Sequence, residues 1–289
     1  MTILRDLTRG PNRYHDRPGG SGDWPGGGCP DEQTLLAQAP HRPGSAEAIE
    51  EMVRRFGEKL FLADWVEFVF LHFEVDPKSL QRVVPFRLDL FEGRALVSLV
   101  AFTIRRMRLA RGGSMTRWVT RPIADHPFLN LRTYVREGRE TGIFFMREWL
   151  SNRLSVALGP GTFGLPYCKG DLEYRDSDEE FAGDVAGNEG SLSYDGTKGE
   201  ESGLARSGTI EEFLLERYTA FAAAGRRRTF FRVWHPPWRV SKTETIRIRN
   251  RSLLDGIDDE WTQSIDLISS HTSRGFEDVW MGRPHWVPA

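Results

Sequence analysis

The chain has 289 residues, and its 39 basic and 41 acidic side chains give a formal net charge of −2 at pH 7. This balance disfavours nucleic acid as a partner, because proteins that bind nucleic acid carry a strongly basic field. There is no run of 18 apolar residues, no apolar N-terminal region and no cysteine framework, so we expect a cytoplasmic protein without a membrane partner.

The first 44 residues differ in composition from the rest of the chain. Glycine and proline dominate residues 17–30, and the whole stretch has no periodic apolar stripe. Such a segment buries too little apolar surface to offset the entropy lost on ordering. We therefore predict a flexible extension over residues 1–44 and a single domain over residues 45–289.

The first elements of the domain are a helix and two buried strands. Ser45 is suited to the N-cap position, and an apolar stripe at helical spacing continues from Ile49 to Leu60. The period then changes, because residues 66–75 and 95–102 are rich in β-branched and aromatic side chains. Runs of this kind predict strands that are buried on both faces.

The remaining chain is predicted to consist mainly of strands. We expect a long arginine-rich loop over residues 105–121, an acidic stretch with only short strand fragments over 175–208, and a helix from Thr209 to Phe221. The further strands are expected at residues 130–136, 142–149, 153–158, 165–174, 228–235 and 245–249. Many strands and few helices joined by short turns predict an antiparallel barrel or sandwich with helices outside.

Five short motifs, in order, resemble DUF2071 or YqjF-like proteins, a bacterial family of unknown function. They are Phe68-Val-Phe-Leu-His72, Leu129-Asn-Leu-Arg132-Thr-Tyr134, Phe163-Gly-Leu-Pro-Tyr167, Leu214-Leu-Glu-Arg217-Tyr218 and His235-Pro-Pro-Trp238. The family is similar in fold to acetoacetate decarboxylase. The resemblance therefore implies an α+β, β-rich fold, with a closed, mostly antiparallel β-barrel around a central cavity and peripheral helices. It also implies a homo-oligomer.

This sequence differs from acetoacetate decarboxylases at the positions that carry their chemistry. Decarboxylases place a lysine after a proline, and this lysine forms a Schiff base with a keto substrate. Tyr167 stands at that position here, Cys168 follows it, and Ser98 stands roughly where decarboxylases have an acidic residue. We therefore predict that Schiff-base chemistry is absent. Lys169 is a candidate for a displaced nucleophile or an anion-binding group, and the alternative is a lysine at the rim of the cavity paired with Asp171 or Glu173.

One predicted strand carries a row of polar side chains on a single face. Asn130, Arg132, Tyr134 and Arg136 alternate with apolar residues. If the row faces inward it suits a carboxylate, because arginine binds carboxylates through two parallel hydrogen bonds. If it faces outward it is a solvated surface. The candidate ligand-binding residues are Arg132, Asn130, Tyr134 and Ser98.

The catalytic candidates are Lys169, His72 and Tyr167. His72 lies between phenylalanines on a strand, where it serves either as a general base or as a core histidine with one hydrogen bond. The chain has no phosphate-binding glycine motif and no metal-ligand spacing, so we expect no cofactor and no metal. The sequence predicts a cavity that binds a small organic acid or keto compound, as a lyase-like enzyme without the Schiff-base lysine pair. The alternative is a non-catalytic ligand-binding or sensor protein on the same fold.

Overall fold

The described part of the protein begins within the predicted extension. A computed structural model of the chain describes residues 41–55, 57–112, 116–225, 227–257 and 260–287. Most of the extension predicted over residues 1–44 therefore lies outside the described residues.

The chain is attached to the fold from His41 onward. The backbone amide of His41 donates to the carbonyl of Arg139 over 2.8 Å, and the Thr141 hydroxyl donates to the carbonyl of His41 over 2.7 Å. Next to it, the Arg42 guanidinium pairs with the buried carboxylate of Asp89 over 3.0 Å. These contacts lie upstream of the domain boundary predicted at residue 45.

Strands make up most of the described chain. They are β1 (Lys59–Val75), β2 (Arg87–Leu88), β3 (Ala95–Leu109), β4 (His126–Glu137), β5 (Glu140–Leu150), β6 (Tyr167–Asp176), β7 (Glu180–Gly187), β8 (Gly190–Leu204), β9 (Thr219–Ala224), β10 (Arg227–Trp234), β11 (Arg239–Asn250), β12 (Asp266–Gly282) and β13 (His285–Trp286). The helices are α1 (Ser45–Arg54), α2 (Pro77–Val83), α3 (Arg117–Thr120), α4 (Arg153–Thr162), α5 (Ile210–Leu215) and α6 (Ser252–Asp255), with 3₁₀ turns at Arg121–Ile123 and Glu260–Ser264. None of the described helices has the length and apolar character needed to cross a membrane.

Seven of the strands pair into a closed ring, in the order β12, β1, β3, β4, β5, β9 and β10, with β10 returning to β12. All of these pairings are antiparallel except that of β5 with β9. A second path leaves β5 through β6, β7, β8 and β11 and also returns to β12. The predicted fold class is therefore confirmed, as a β-rich, mostly antiparallel sheet that closes on itself with helices around it.

The two closed paths have β12, β1, β3, β4 and β5 in common, and these are the shared strands. Because side chains alternate along a strand, the shared strands have two apolar faces. On β1, Phe68 and Phe70 belong to the apolar cluster that surrounds the inside of the seven-stranded ring. Leu71 points the other way, into a second cluster that it shares with Trp149 of β5 and Leu192 of β8. The ring is therefore backed by a solid core on one side, where β6–β8 cover the shared strands.

Residues 153–158, predicted as a strand, form the first half of helix α4. Leu154, Val156 and Leu158 alternate as they would in a half-buried strand, which is why the pattern misleads. The side chain of Asn152 caps the helix by accepting a hydrogen bond from the Ser155 amide over 3.0 Å. This cap favours the helix and outweighs the alternation.

The acidic stretch over residues 175–208 is also corrected, because it contains β7, β8 and the end of β6. Some of its glycines lie inside strands and not in turns. A Cβ on Gly183 of β7 would lie 2.4 Å from ring atoms of Tyr194, its partner on β8. Glycine is required there because an aromatic ring packs directly on the backbone.

Three further boundaries differ from the prediction. The predicted loop at 105–121 is in part the end of β3, which extends to Leu109. Helix α5 ends at Leu215, so Tyr218 and Phe221 lie outside it, and Phe221 is on β9. Helix α1 begins at Ser45, but Gly44 is its N-cap and the Ser45 hydroxyl donates to the carbonyl of His235 over 2.8 Å.

Candidate functional site

The seven-stranded ring encloses a cavity of about 170 Å³. Its wall is largely aromatic, with Phe68, Phe102, Phe128, Phe145, Phe231 and Trp238 among the lining side chains. Helix α4 closes one end, where Leu158 both lines the cavity and is exposed to solvent. The end of α5 with Leu215, and Arg217 just after it, close the other end. An apolar chamber with a few polar groups is the usual form of a small-molecule site.

The polar row of β4 lies partly in the cavity wall. His126, Asn130 and Arg132 line the cavity together with Phe128, as residues two apart on one strand face do. Asn130 is buried and its Oδ1 atom has no hydrogen-bond partner. Tyr134 continues the same face but does not line the cavity, because it lies against Phe213 at the closed end.

Arg132 is a buried cation without an acidic partner among the described residues. Its side chain is 8% exposed, its Nε atom has no hydrogen-bond partner, and its Nη2 atom donates only a long bond of 3.4 Å to the Leu214 carbonyl. Burial lowers the pKa of the guanidinium below its usual range, and a hydrogen bond with Tyr134 opposes that effect. The site therefore holds a desolvated positive charge facing the cavity.

Arg217, the second buried arginine of the cavity wall, has the partner that Arg132 lacks. Its guanidinium pairs with Asp89 over 2.9 Å, and Asp89 also binds Arg42. In the sequence, Arg217 is part of the motif Leu214-Leu-Glu-Arg217-Tyr218. The structure places it just after α5, where its Nε donates to the Phe213 carbonyl over 2.6 Å. Its charge is thus largely compensated within the protein.

Glu148 of β5 is the site residue that the sequence analysis missed. It lines the cavity with Phe145, three residues earlier, although regular alternation would put these two on opposite faces. The reason is a β-bulge, since Leu131 pairs with Arg147 while the next residue of β4, Arg132, pairs with Phe145. The available signal was the charged pair Arg147-Glu148, which stands between the apolar residues 143–146 and Trp149-Leu150.

The carboxyl group of Glu148 is buried, and its Oε2 atom has no hydrogen-bond partner. Burial raises the pKa of Glu148 to about 8, so the group is mainly protonated at neutral pH. In the sheet, the backbone of Glu148 lies opposite Asn130 of β4 on one side and opposite Tyr167 of β6 on the other. Burial, together with the nearby Glu148, raises the pKa of Tyr167 well above its usual range, so this residue remains a phenol.

Two histidines of the cavity wall are neutral. Burial lowers the pKa of His126 to about 4, and neither of its ring nitrogens has a hydrogen-bond partner. Burial also lowers the pKa of His235 to about 4, and its Nδ1 lies 2.7 Å from the Pro236 carbonyl. Both rings therefore present neutral donors or acceptors to the cavity at pH 7.

Three sequence-predicted candidates form a buried chain behind the cavity wall. The Nδ1 atom of His72 lies 2.7 Å from the Ser98 hydroxyl, which lies 2.7 Å from the Tyr134 hydroxyl. Tyr134 in turn donates to the Leu214 carbonyl over 3.1 Å, beside the contact made by Arg132. Burial, and then the charges of His271 and Arg132, lower the pKa of His72 well below its usual range. His72 and Ser98 do not line the cavity.

Lys169 lies outside the cavity wall. Its ammonium group donates to Asp171 and to the Gly170 carbonyl, each over 2.8 Å, and its side chain is 36% exposed. Cys168 points toward Arg147 on the other side of the strand. Among the described residues, no group of three or more His, Cys, Asp or Glu side chains is placed to hold a metal ion.

Comparison with solved structures shows the same fold in acetoacetate decarboxylases and related enzymes. The acetoacetate decarboxylase of Legionella pneumophila superposes with a TM-score of 0.56 at 14% identity, over 80% of this chain and 88% of that one. An acetoacetate decarboxylase-like enzyme of Sphingomonas wittichii gives 0.54 at 14%, over 80% and 94%. The enduracididine biosynthesis enzyme MppR, complexed with pyruvate, gives 0.54 at 9%, over 79% and 90%.

At the level of sequence, the chain is similar to the uncharacterized protein YqjF of Bacillus subtilis. The two are 26% identical over 198 residues, which cover 62% of this chain and 74% of YqjF. The model of the DUF2071 family, described as an uncharacterized conserved protein, matches residues 62–272. This match spans the cavity wall from β1 to β12, and the chain therefore belongs to the DUF2071 family.

Proposed function

We propose that the cavity binds a small organic acid, with a keto acid as the preferred form, whose carboxylate pairs with Arg132. The observation that carries this proposal is the buried guanidinium of Arg132, which has no acidic partner among the described residues. An uncompensated buried charge costs several kcal/mol, of the order of 3–5 when one partner of a buried pair is removed. An anionic ligand in the cavity offsets that cost.

The shape and lining of the cavity support the same class of ligand. A volume of about 170 Å³ suits a compound of a few carbon atoms, and the aromatic wall takes its apolar part. Arg132 lies toward the end closed by Leu214, so the carboxylate enters first and the carbon chain points toward α4. The fold relative MppR, which binds pyruvate, supports a keto acid.

An unpartnered carboxyl group in the wall favours a lyase-like enzyme over a non-catalytic binding or sensor protein. Glu148 lies beside the proposed carboxylate site, and whenever it loses its proton its negative charge weakens the binding of an anion. A protein that only binds acids gains nothing from such a group. Lys169, at the surface and paired with Asp171, supports chemistry without a Schiff base.

Calorimetric titration of the purified protein with 2-oxobutanoate at pH 7 tests the proposal. We expect binding to the wild type and binding weakened about 10- to 150-fold in Arg132→Gln, because a charge-assisted pair contributes roughly 1.5–3 kcal/mol. Butanone, which has the same carbonyl and no carboxylate, should bind both proteins equally weakly.

Arg274→Gln is the matched control, because it removes the same charge from an exposed arginine that forms no ion pair with the described residues. It should bind 2-oxobutanoate like the wild type. Equal affinity of 2-oxobutanoate for the wild type and Arg132→Gln, or no binding at all, would contradict the proposal.

A further inference from the structure

Glu148 lines the cavity with a carboxyl group that is available for chemistry. Buried carboxyl groups in folded proteins are normally hydrogen-bonded or ion-paired, yet the Oε2 atom of Glu148 has no partner and no cation among the described residues pairs with it. A group left in this state costs free energy, and such groups concentrate where a protein performs chemistry. Asp89, the buried carboxylate behind Arg217 of the cavity wall, is by contrast paired with two arginines.

The sheet fixes Glu148 relative to the proposed carboxylate site. Glu148 pairs with Asn130, and Arg132 is two residues further along the same face of β4. Diagonal neighbours of this kind have Cα atoms about 7–8 Å apart, so side chains of this length converge on one small ligand. A ligand with its carboxylate on Arg132 therefore presents its second and third carbon atoms to Glu148.

We propose that Glu148 is a general base that removes a proton from the carbon next to the carbonyl of the bound keto acid, without an imine intermediate. This inference rests on the proposed function. In the step, a carboxylate oxygen of Glu148 takes the proton from C3 of a 2-oxo acid. The C–H electron pair becomes the C2=C3 bond of the enolate, and the carbonyl π pair moves to the carbonyl oxygen. The reverse step returns a proton to C3.

The step needs no reagent other than water, which exchanges a proton with Glu148. No bond to the protein forms, and nothing is oxidised or reduced. Between the two steps the Glu148 proton exchanges with solvent at the end of the cavity where Leu158 is exposed. In deuterated water, the net result is replacement of the C3 protons of the keto acid by deuterium.

The surroundings of Glu148 suit a base of this strength. Its pKa of about 8 makes the ionised form a stronger base than an ordinary carboxylate, and about a tenth of the molecules carry it at pH 7. The titratable groups facing the cavity from β4, β6 and the closed end are His126, Tyr167, His235, Arg132 and Arg217. The two histidines have a pKa of about 4, that of Tyr167 is well above its usual range, and guanidinium groups keep their charge.

Proton NMR of 2-oxobutanoate in deuterated water tests the inference. We expect the wild type to remove the C3 proton signal, at a rate that rises with pH and levels off above about 8. Glu148→Gln should slow this exchange at least 100-fold, while the affinity for 2-oxobutanoate stays within about threefold. Glu148→Asp, which retains a carboxylate, should recover part of the rate, and Glu173→Gln, an exposed glutamate of β6, should match the wild type.

Each other outcome has a distinct meaning. Binding of 2-oxobutanoate without exchange would refute the role of Glu148 and leave the proposed function standing, whereas no binding would refute both. A borohydride-stable adduct on Lys169 would replace the proposed mechanism by an imine route. If Glu148→Gln does not fold, the pH profile of the wild type decides alone, and a rate that is flat or falls between pH 6 and 8 overturns the inference.

Discussion

Asn130 on β4 and Glu148 on β5 lie directly opposite each other in the sheet, and each has a buried side-chain oxygen without a hydrogen-bond partner. Leaving a buried polar atom unpaired costs about 1–3 kcal/mol. Two such atoms on adjacent strands, both facing one cavity, are not explained by the stability of the fold. Together with Arg132 they form the patch at which the proposed function places its ligand.

The two buried arginines of the cavity wall should respond oppositely to replacement by methionine. Arg132→Met should raise the free energy of unfolding of the ligand-free protein by about 1–3 kcal/mol, because it removes a buried charge that has no partner. Arg217→Met should lower it by about 3 kcal/mol, because it breaks a buried pair with Asp89. Urea unfolding at pH 7 measures both values. A loss of stability in Arg132→Met would mean that the protein itself compensates this charge.

The pKa of Glu148 predicts a pH dependence of stability. A carboxyl group whose pKa rises from 4.5 in the unfolded chain to about 8 in the folded one keeps its proton only in the folded state between these values. Stability therefore falls as pH rises through this window and levels off above it, by about 5 kcal/mol in all. Urea unfolding of the wild type at pH 5, 7 and 9 should show this fall.

The buried histidines change the free energy of unfolding with pH in the opposite direction. The measurement on Glu148 therefore requires a control. His126, His235 and His271, with pKa values of about 4, add stability as pH rises from 4 to 6.5, because only the unfolded chain binds a proton there. Glu148→Gln retains these histidines and removes the carboxyl group. The difference in unfolding free energy between the variant and the wild type therefore isolates Glu148, and a difference independent of pH would contradict the raised pKa.

Gly159 of α4 should be essential for the size of the cavity. A Cβ at this position would lie 2.1 Å from ring carbons of Tyr167, so Gly159→Ala must push the ring into the cavity. We expect weaker binding of 2-oxobutanoate, by at least tenfold, in a protein that still folds. Gly161→Ala is the control on the same helix, because nothing lies within 4 Å of its Cβ. Gly159→Ala with unchanged affinity would show that Tyr167 has another place to go.

Two truncated chains test the domain boundary. A chain that begins at His41 should match the full chain in the free energy of unfolding within about 0.5 kcal/mol. A chain that begins at Ser45 loses the hydrogen bonds of His41 and the half-exposed pair of Arg42 with Asp89, and we expect it to be about 1–2 kcal/mol less stable. If the chain from His41 aggregates, the extension has a role in folding.

The sequence identified the family, the closed sheet and the polar face of β4, because these depend on motifs and on regular alternation. Asn130 and Arg132 are two apart on an unbroken stretch of strand, so counting residues puts them on one face. Alternation does not distinguish the inside of a ring from the outside, so the sequence left both directions open and the inward one is seen only in the structure.

The parts that could not be predicted depend on contacts between distant residues. The bulge that brings Glu148 to the cavity is visible only in the pairing of β4 with β5. Helix α4 and the long strands β7 and β8 were missed because local composition suggested a strand and a loop, whereas capping by Asn152 and packing of Tyr194 on Gly183 decide the structure.

The solid core behind the shared strands has a consequence for how a ligand is received. Because Leu71, Trp149 and Leu192 pack behind the wall, the strands that carry Arg132 and Glu148 cannot move into the empty chamber without opening a costly void behind them. The cavity wall is thus preorganised, and binding loses little free energy in ordering its side chains. An acid that binds as proposed would have to lose its hydration shell before it reaches the Arg132 guanidinium, and this desolvation, rather than a movement of the wall, would limit its affinity.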